Sequence, residues 1–303
     1  MNSPSNIVLG SFIGDALALG PHWIYNQSEI FEKLGRVTDY HPPLASYHPG
    51  KAAGDLTHYG DQALVLLRSI AENGRFDLPR YAAAWREFWK NPDTTSYRDH
   101  ATQETLANLQ TGVDPAAAAS GSDDMAGAAK IAPLLLAEWD DDAELFAAAR
   151  AVAGFTHGDP AVIEAAEFFA RVALAVQRGD EIPVALEEIM ALHHWEAIHV
   201  GWLQAGLIST DSPAPDVEVL KAHGLTCHTP EAFPGICHLL LKYPDDPATA
   251  LIENASAGGD NAARGMILGL VYGAKFPVSG WRPEWLTGLR ARSEIESLIE
   301  LLE

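Results

Sequence analysis

Apolar residues return every three or four positions along almost the whole chain, and no run of alternating apolar and polar residues marks a strand. The spacing predicts helices over residues 7–19, 61–72, 79–88 and 126–139, then over 141–153, 159–176, 184–207, 230–241, 245–255 and 260–272. Strong helix formers, Ala, Leu, Glu and Arg, fill the positions between. Asp141, Asp159 before Pro160, Thr229 before Pro230 and Asp246 before Pro247 place capping residues ahead of residues suited to a first helical turn. Caps and period agree, so the expected fold class is all-α. No linker or low-complexity tract divides the 303 residues, and no helical repeat of about 30–45 residues recurs. A compact multi-helix bundle in a single domain, residues 1–303, is expected, and the 48% hydrophobic content is ample for its core.

Charge narrows the partners. With 41 acidic against 20 basic residues the net charge is -21, which repels a nucleic-acid backbone or an anionic membrane at long range. A small phosphorylated ligand stays compatible, because a local nest of backbone N–H groups binds an anion whatever the global charge. Cys227 and Cys237 are the two cysteines and lack the spacing of a zinc site or a disulfide framework, which fits a reducing, cytoplasmic setting. The apolar stretch 7–20 has no basic n-region, carries Asp15 and is too short to span a bilayer.

Four segments can carry chemistry. In AGGDNAARGMILGLVYGA, Gly258 and Gly259 precede Asp260 and Asn261 at the start of a helix rich in small residues. This is either an Asp-capped helix built for close packing or a backbone that admits a ligand. In GDLTHYGDQALVLL, Thr57, His58, Tyr59 and Asp61 cluster at a helix start, as caps or as groups for a metal, a water or a sugar hydroxyl. GDALALG leads to Pro21, His22 and Trp23, while Ser120, Ser122, Asp123 and Asp124 lie on a loop entering AAKIAP. His157 in FTHGDP either faces a pocket or caps the preceding helix. His193, His194, Glu196 and His199 lack HExxH spacing, so no metal site is expected there. GxGxxG, Walker and GxSxG motifs are absent.

In order, GDAL, a polar helix start near residue 57, AAKIAP, TH followed by DP, and a late GGD resemble the ADP-ribosylglycohydrolase family over residues 7–277. The resemblance implies an all-α enzyme that cleaves the glycosidic bond of ADP-ribose attached to a protein side chain or related group, usually with two magnesium ions. It also names the jellyfish lens crystallins as non-enzymatic relatives, so a binding or structural protein is the rival expectation. The family's TDDT positions fall on Thr57, His58, Tyr59 and Gly60, and its GGDTDT on Gly258, Gly259, Asp260, Asn261, Ala262 and Ala263. The glutamate that often follows GDALG falls near His22. Magnesium prefers oxygen ligands, so these replacements argue against the ordinary dimagnesium centre and for another divalent metal, or none. His22, His58 and Asp260 are the metal candidates. Asp260 and Asp61 are the catalytic candidates, and Thr57, His58, Tyr59, Ser122, Asp123, His157, Gly258, Gly259 and Asn261 are expected to meet an ADP-ribose-type nucleotide sugar, free or on an ADP-ribosylated protein.

Overall fold

Most of the expected caps are present in the backbone. Asp141, Asp159 and Asp246 each accept a hydrogen bond from an N–H of the first turn of the helices Asp142–Thr156, Pro160–Arg178 and Pro247–Ala257. Thr229 instead lies inside the helix Thr229–Lys242, whose cap position is His228. The computed structural model describes residues 3–192 and 195–303, and among them holds sixteen α-helices, three short 3-10 turns, two isolated β-bridges and no strand.

Two expected helices are each divided. The 126–139 run is a single turn, Ala126–Ala129, followed by a 3-10 turn, Ala132–Leu136, because Pro133 has no N–H to continue an α-helical ladder. The 184–207 run is Ile182–Leu192 and Val200–Ser209. Between them the Glu164 carboxylate accepts the backbone N–H groups of Glu196, Ala197 and Ile198 at 3.1, 2.8 and 2.9 Å, fixing a turn that apolar periodicity does not reveal. The helices Gln27–Leu34, His100–Gln110, Asp216–His223, Pro283–Gly288 and Arg292–Glu300 were not expected; they are short and carry fewer buried apolar residues.

The axis of the fold is the N-terminal helix, Pro4–Ala18, laid against the late helix, Asn261–Lys275. Their backbones touch. A methyl group at Gly14 would sit 2.0 Å from the Gly265 carbonyl oxygen, so only glycine permits this approach. The small residues of the late helix are thus a packing device, and the contact sets Asp15 and Asp260 into the same interior. The apolar core extends from Ile7 to Ile299 and includes the fully buried Trp85 and Trp285. Among the described residues no helix is long and apolar enough to cross a membrane.

Candidate functional site

Thr57 caps the helix His58–Asn73, its side chain accepting the Tyr59 N–H at 3.1 Å. Its own groups are turned on Asp15, the aspartate of GDAL: the backbone N–H donates to Oδ2 at 2.7 Å and Oγ1 donates to Oδ1 at 2.5 Å. Gly60 N–H adds a third bond at 3.2 Å. Burial raises the Asp15 carboxyl to about 6 against the hydrogen bonds from Thr57, which favour its charge. Asp15 is therefore committed to a helix N-terminus, and His58 and Tyr59 are aimed by that anchor.

Asp260 occupies the cap position of the late helix but makes no side-chain capping bond. Its Oδ2 accepts Tyr59 Oη–H at 2.8 Å and Trp23 Nε1–H at 3.3 Å, while Oδ1 is buried without a partner. Asp124 reaches the same hydroxyl, with Oδ2 3.3 Å from Tyr59 Oη. Asp124, Asp260 and Cys227 present ligand atoms within 4.8 Å of one another. Two carboxylates so close and so poorly hydrated cannot both ionise readily: burial, then the neighbouring Asp260 charge, pushes Asp124 well above the carboxylate range. Burial raises Asp260 too, although Tyr59, Arg264 and Trp23 favour its charged form. Tyr59 and Cys227 are held protonated by burial and by these same aspartates.

Beside the carboxylates lies a cluster of imidazoles. His22, His48 and His58 are each at most 1% exposed, and they offer nitrogens within 4.8 Å of one another. His48 Nε2 and His58 Nδ1 are 3.1 Å apart. His58 Nε2 faces Asp99 Oδ2 at 3.3 Å, and His22 Nδ1 meets Asn261 Oδ1 at 3.1 Å. Burial lowers His22 well below the usual histidine value and takes His48 down to about 2. Burial alone would raise Asp99, but His58 beside it holds it below the carboxylate range. Trp23 stacks on His22 with ring centroids 4.6 Å apart and takes a left-handed backbone, φ 62°. That strain is held by a reciprocal pair of backbone bonds, Trp23 N–H to Gly259 O and Gly259 N–H to Ile24 O, both 2.8 Å.

The candidates named from sequence therefore part company. His22, His58, Tyr59, Asp260 and Asn261 converge. Asp61 instead pairs with Lys51 at 2.6 Å. Asp123 turns outward to His228 at 2.7 Å, and the next residue, Asp124, points into the site. Ser122 Oγ accepts the Asp124 N–H at 3.2 Å and so shapes the loop. His157 is buried in a separate polar network with Thr156 and Lys130, at 2.8 Å and 3.0 Å along the chain of contacts. Gly258 and Gly259 approach the protein's own backbone: a methyl at Gly259 would lie 2.3 Å from Leu225 O. Glu196 and His199 are exposed, while His193 and His194 lie outside the described residues.

Sequence reasoning missed His48, Asp99 and Arg264, and of the loop pair it chose Asp123 over Asp124. His48 sits in a Pro-, His- and Gly-rich loop, and Asp99 caps the unexpected helix His100–Gln110 with its other oxygen. Buried Arg264, one turn beyond Asp260, sets a positive charge near that carboxylate and is itself lowered by burial to about 10.

The TDDT positions offer magnesium no carboxylate. At the four TDDT positions, the Thr57 hydroxyl is bound to Asp15, His58 offers nitrogen, Tyr59 donates to Asp260 and Gly60 offers no side chain.

Comparison with known proteins agrees with this fold. An ADP-ribosylglycohydrolase family model matches residues 6–303. Crystallin J1A and crystallin J1B of Tripedalia cystophora are each 22% identical to the chain, over 97% and 98% of its length and 94% and 96% of theirs. The solved structure of an ADP-ribosylglycohydrolase-related protein complex superposes with a TM-score of 0.77 at 21% identity, covering 99% of this chain and 96% of that one. Within that shared fold the chain belongs to the ADP-ribosylglycohydrolase family.

Proposed function

We propose that the chain binds an ADP-ribose-type nucleotide sugar, free or carried on an ADP-ribosylated protein, and hydrolyses its N- or O-glycosidic bond. The observation that carries this reading is the buried pair Asp124 and Asp260 joined at the Tyr59 hydroxyl. Their ligand oxygens lie within 4.8 Å of each other and both face one hydroxyl, so the two carboxyls titrate as a coupled pair. The donors divide the roles. Asp260 receives two hydrogen bonds that favour the anion and takes a proton from water as its oxygen bonds to the anomeric carbon. Asp124, which keeps its proton, gives it to the nitrogen or oxygen as the glycosidic bond breaks, and water enters on the same face because both carboxyls line it. Tyr59 stays protonated and orients Asp260.

The test is release of ADP-ribose from ADP-ribosylated arginine, serine and free nucleotide substrates, together with calorimetric binding of ADP-ribose, for the wild type and Asp260→Asn. Binding by both proteins with turnover by the wild type alone supports the reading. A second reading, a binding or crystallin-like structural protein, is favoured by the crystallin J1 relatives and by the loss of the TDDT carboxylates. Binding without turnover selects it. No binding of ADP-ribose or a related nucleotide removes the nucleotide-sugar reading altogether.

A further inference from the structure

We propose that His22, His48 and His58 bind one transition-metal dication of the zinc type, a site distinct in chemistry from an oxygen-ligated magnesium centre. Two nitrogens that share a tetrahedral ion at about 2.0–2.1 Å stand roughly 3.3 Å apart. His48 Nε2 and His58 Nδ1 are already 3.1 Å apart, and all three histidines offer nitrogens within 4.8 Å.

The surroundings select the nitrogens. Asn261 Nδ2 donates to Ala255 O at 3.2 Å, which leaves Oδ1 as the acceptor facing His22 Nδ1 at 3.1 Å. His22 therefore carries its proton on Nδ1, and its Nε2 lone pair is buried with no protein partner. Asp99 Oδ2 lies 3.3 Å from His58 Nε2, a charge contact without hydrogen-bond geometry, and favours the tautomer with its proton on Nε2, which leaves the Nδ1 lone pair facing His48. An imidazole oriented by a carboxylate or amide oxygen on its far nitrogen is the usual setting of a metal-bound histidine. His48 needs only to move its proton to Nδ1, which has no protein partner, to free Nε2.

The rival ligand cluster, Asp124, Cys227 and Asp260, suits an ion less well. Its thiol must lose a proton to bind an ion and its two carboxyls already face the Tyr59 hydroxyl, whereas an imidazole binds through a free lone pair. Three imidazoles with no carboxylate favour zinc, cobalt, nickel or copper over magnesium. The site does not depend on hydrolysis, since a chain that turns over nothing can still hold the ion.

The experiment strips the full-length protein with a chelator and titrates it with zinc chloride by calorimetry, then with cobalt(II) followed by visible absorption. One equivalent of zinc is expected, in the presence of excess magnesium, and a cobalt spectrum of nitrogen and oxygen ligation. His22→Ala and His48→Ala should each weaken zinc by more than about 100-fold, and Asp99→Asn by about 10–100-fold. Absence of stoichiometric zinc binding overturns the proposal. So does a thiolate-to-cobalt charge-transfer band, which would place the ion at Cys227. The wild-type cobalt spectrum decides even where a histidine variant fails to fold.

Discussion

Tyr59 touches two groups of opposite character. Its ring lies 4.0 Å, centroid to centroid, from His58 in the imidazole cluster, and its hydroxyl donates to Asp260 of the carboxylate pair. Both groups are buried, and burial acts on them in opposite directions: it strips protons from His22 and His48 and keeps them on Asp124 and Asp260. Each region is driven toward neutrality. The comparison teaches that desolvation, acting on bases and acids across one aromatic ring, leaves His22 and His48 neutral on one side and a coupled carboxyl pair on the other.

The hardest test of that division is Asp260→Asn. The amide oxygen can still accept from Tyr59 and Trp23, so the fold should persist while turnover falls by about 10²–10⁴-fold. Zinc affinity measured on the same variant should be unchanged. A fall in zinc affinity matching that of His48→Ala would merge the two regions into one site built from His22, His58 and Asp260. The converse variant is Asp99→Asn, in which the carboxylate that sets the His58 tautomer is lost. It should weaken zinc by about 10–100-fold and leave calorimetric binding of ADP-ribose at its wild-type value.

The imidazole cluster and the Asp15 anchor predict opposite responses to pH. His22 and His48 stay neutral in the folded chain but take up protons near 6.5 when unfolded, so their contribution is present above 6.5 and lost as pH falls below it. Each costs about 1.4 kcal/mol per pH unit in that range. Asp15 acts in reverse. Its folded value of about 6 exceeds the unfolded 3.8, so its contribution is present below 3.8 and lost as pH rises through about 6, for a total of about 3 kcal/mol. Denaturant unfolding of the metal-free protein should show His48→Gln losing less stability than the wild type between pH 6.5 and 5.5, by about 1 kcal/mol. Equal slopes would mean that His48 is not neutral in the folded chain.

The fold was legible because helical periodicity and acid caps repeat the same message many times, as at Asp141, Asp159 and Asp246. It was least legible where a distant side chain decides a local turn, as Glu164 does at residues 196–198. The site was half legible. His22, His58, Tyr59 and Asp260 stood out because each occupies or adjoins a motif. Asp123 and Asp124 are neighbours with identical side chains, and only the pairing of their loop with residues 227–229 decides which turns inward. Asp99 and His48 come from segments with no shared spacing, so their meeting at His58 is a property of the folded chain alone.

The smallest effect is the most informative about the boundary. Tyr59→Phe keeps the ring against His58 and removes one hydroxyl, the donor that favours the charged form of Asp260. Without it the carboxylate pair should hold its proton to higher pH, and the acid limb of the pH–rate profile should move upward. Because the native pair then binds its proton more tightly, stability should fall more steeply as pH rises, with about 1 kcal/mol lost to the missing bond at pH 8. Zinc affinity should not change, since no imidazole nitrogen depends on that hydroxyl. A Tyr59→Phe protein with an unmoved acid limb and weakened zinc binding would mean that the hydroxyl serves the imidazoles, and that the ring does not separate two chemistries.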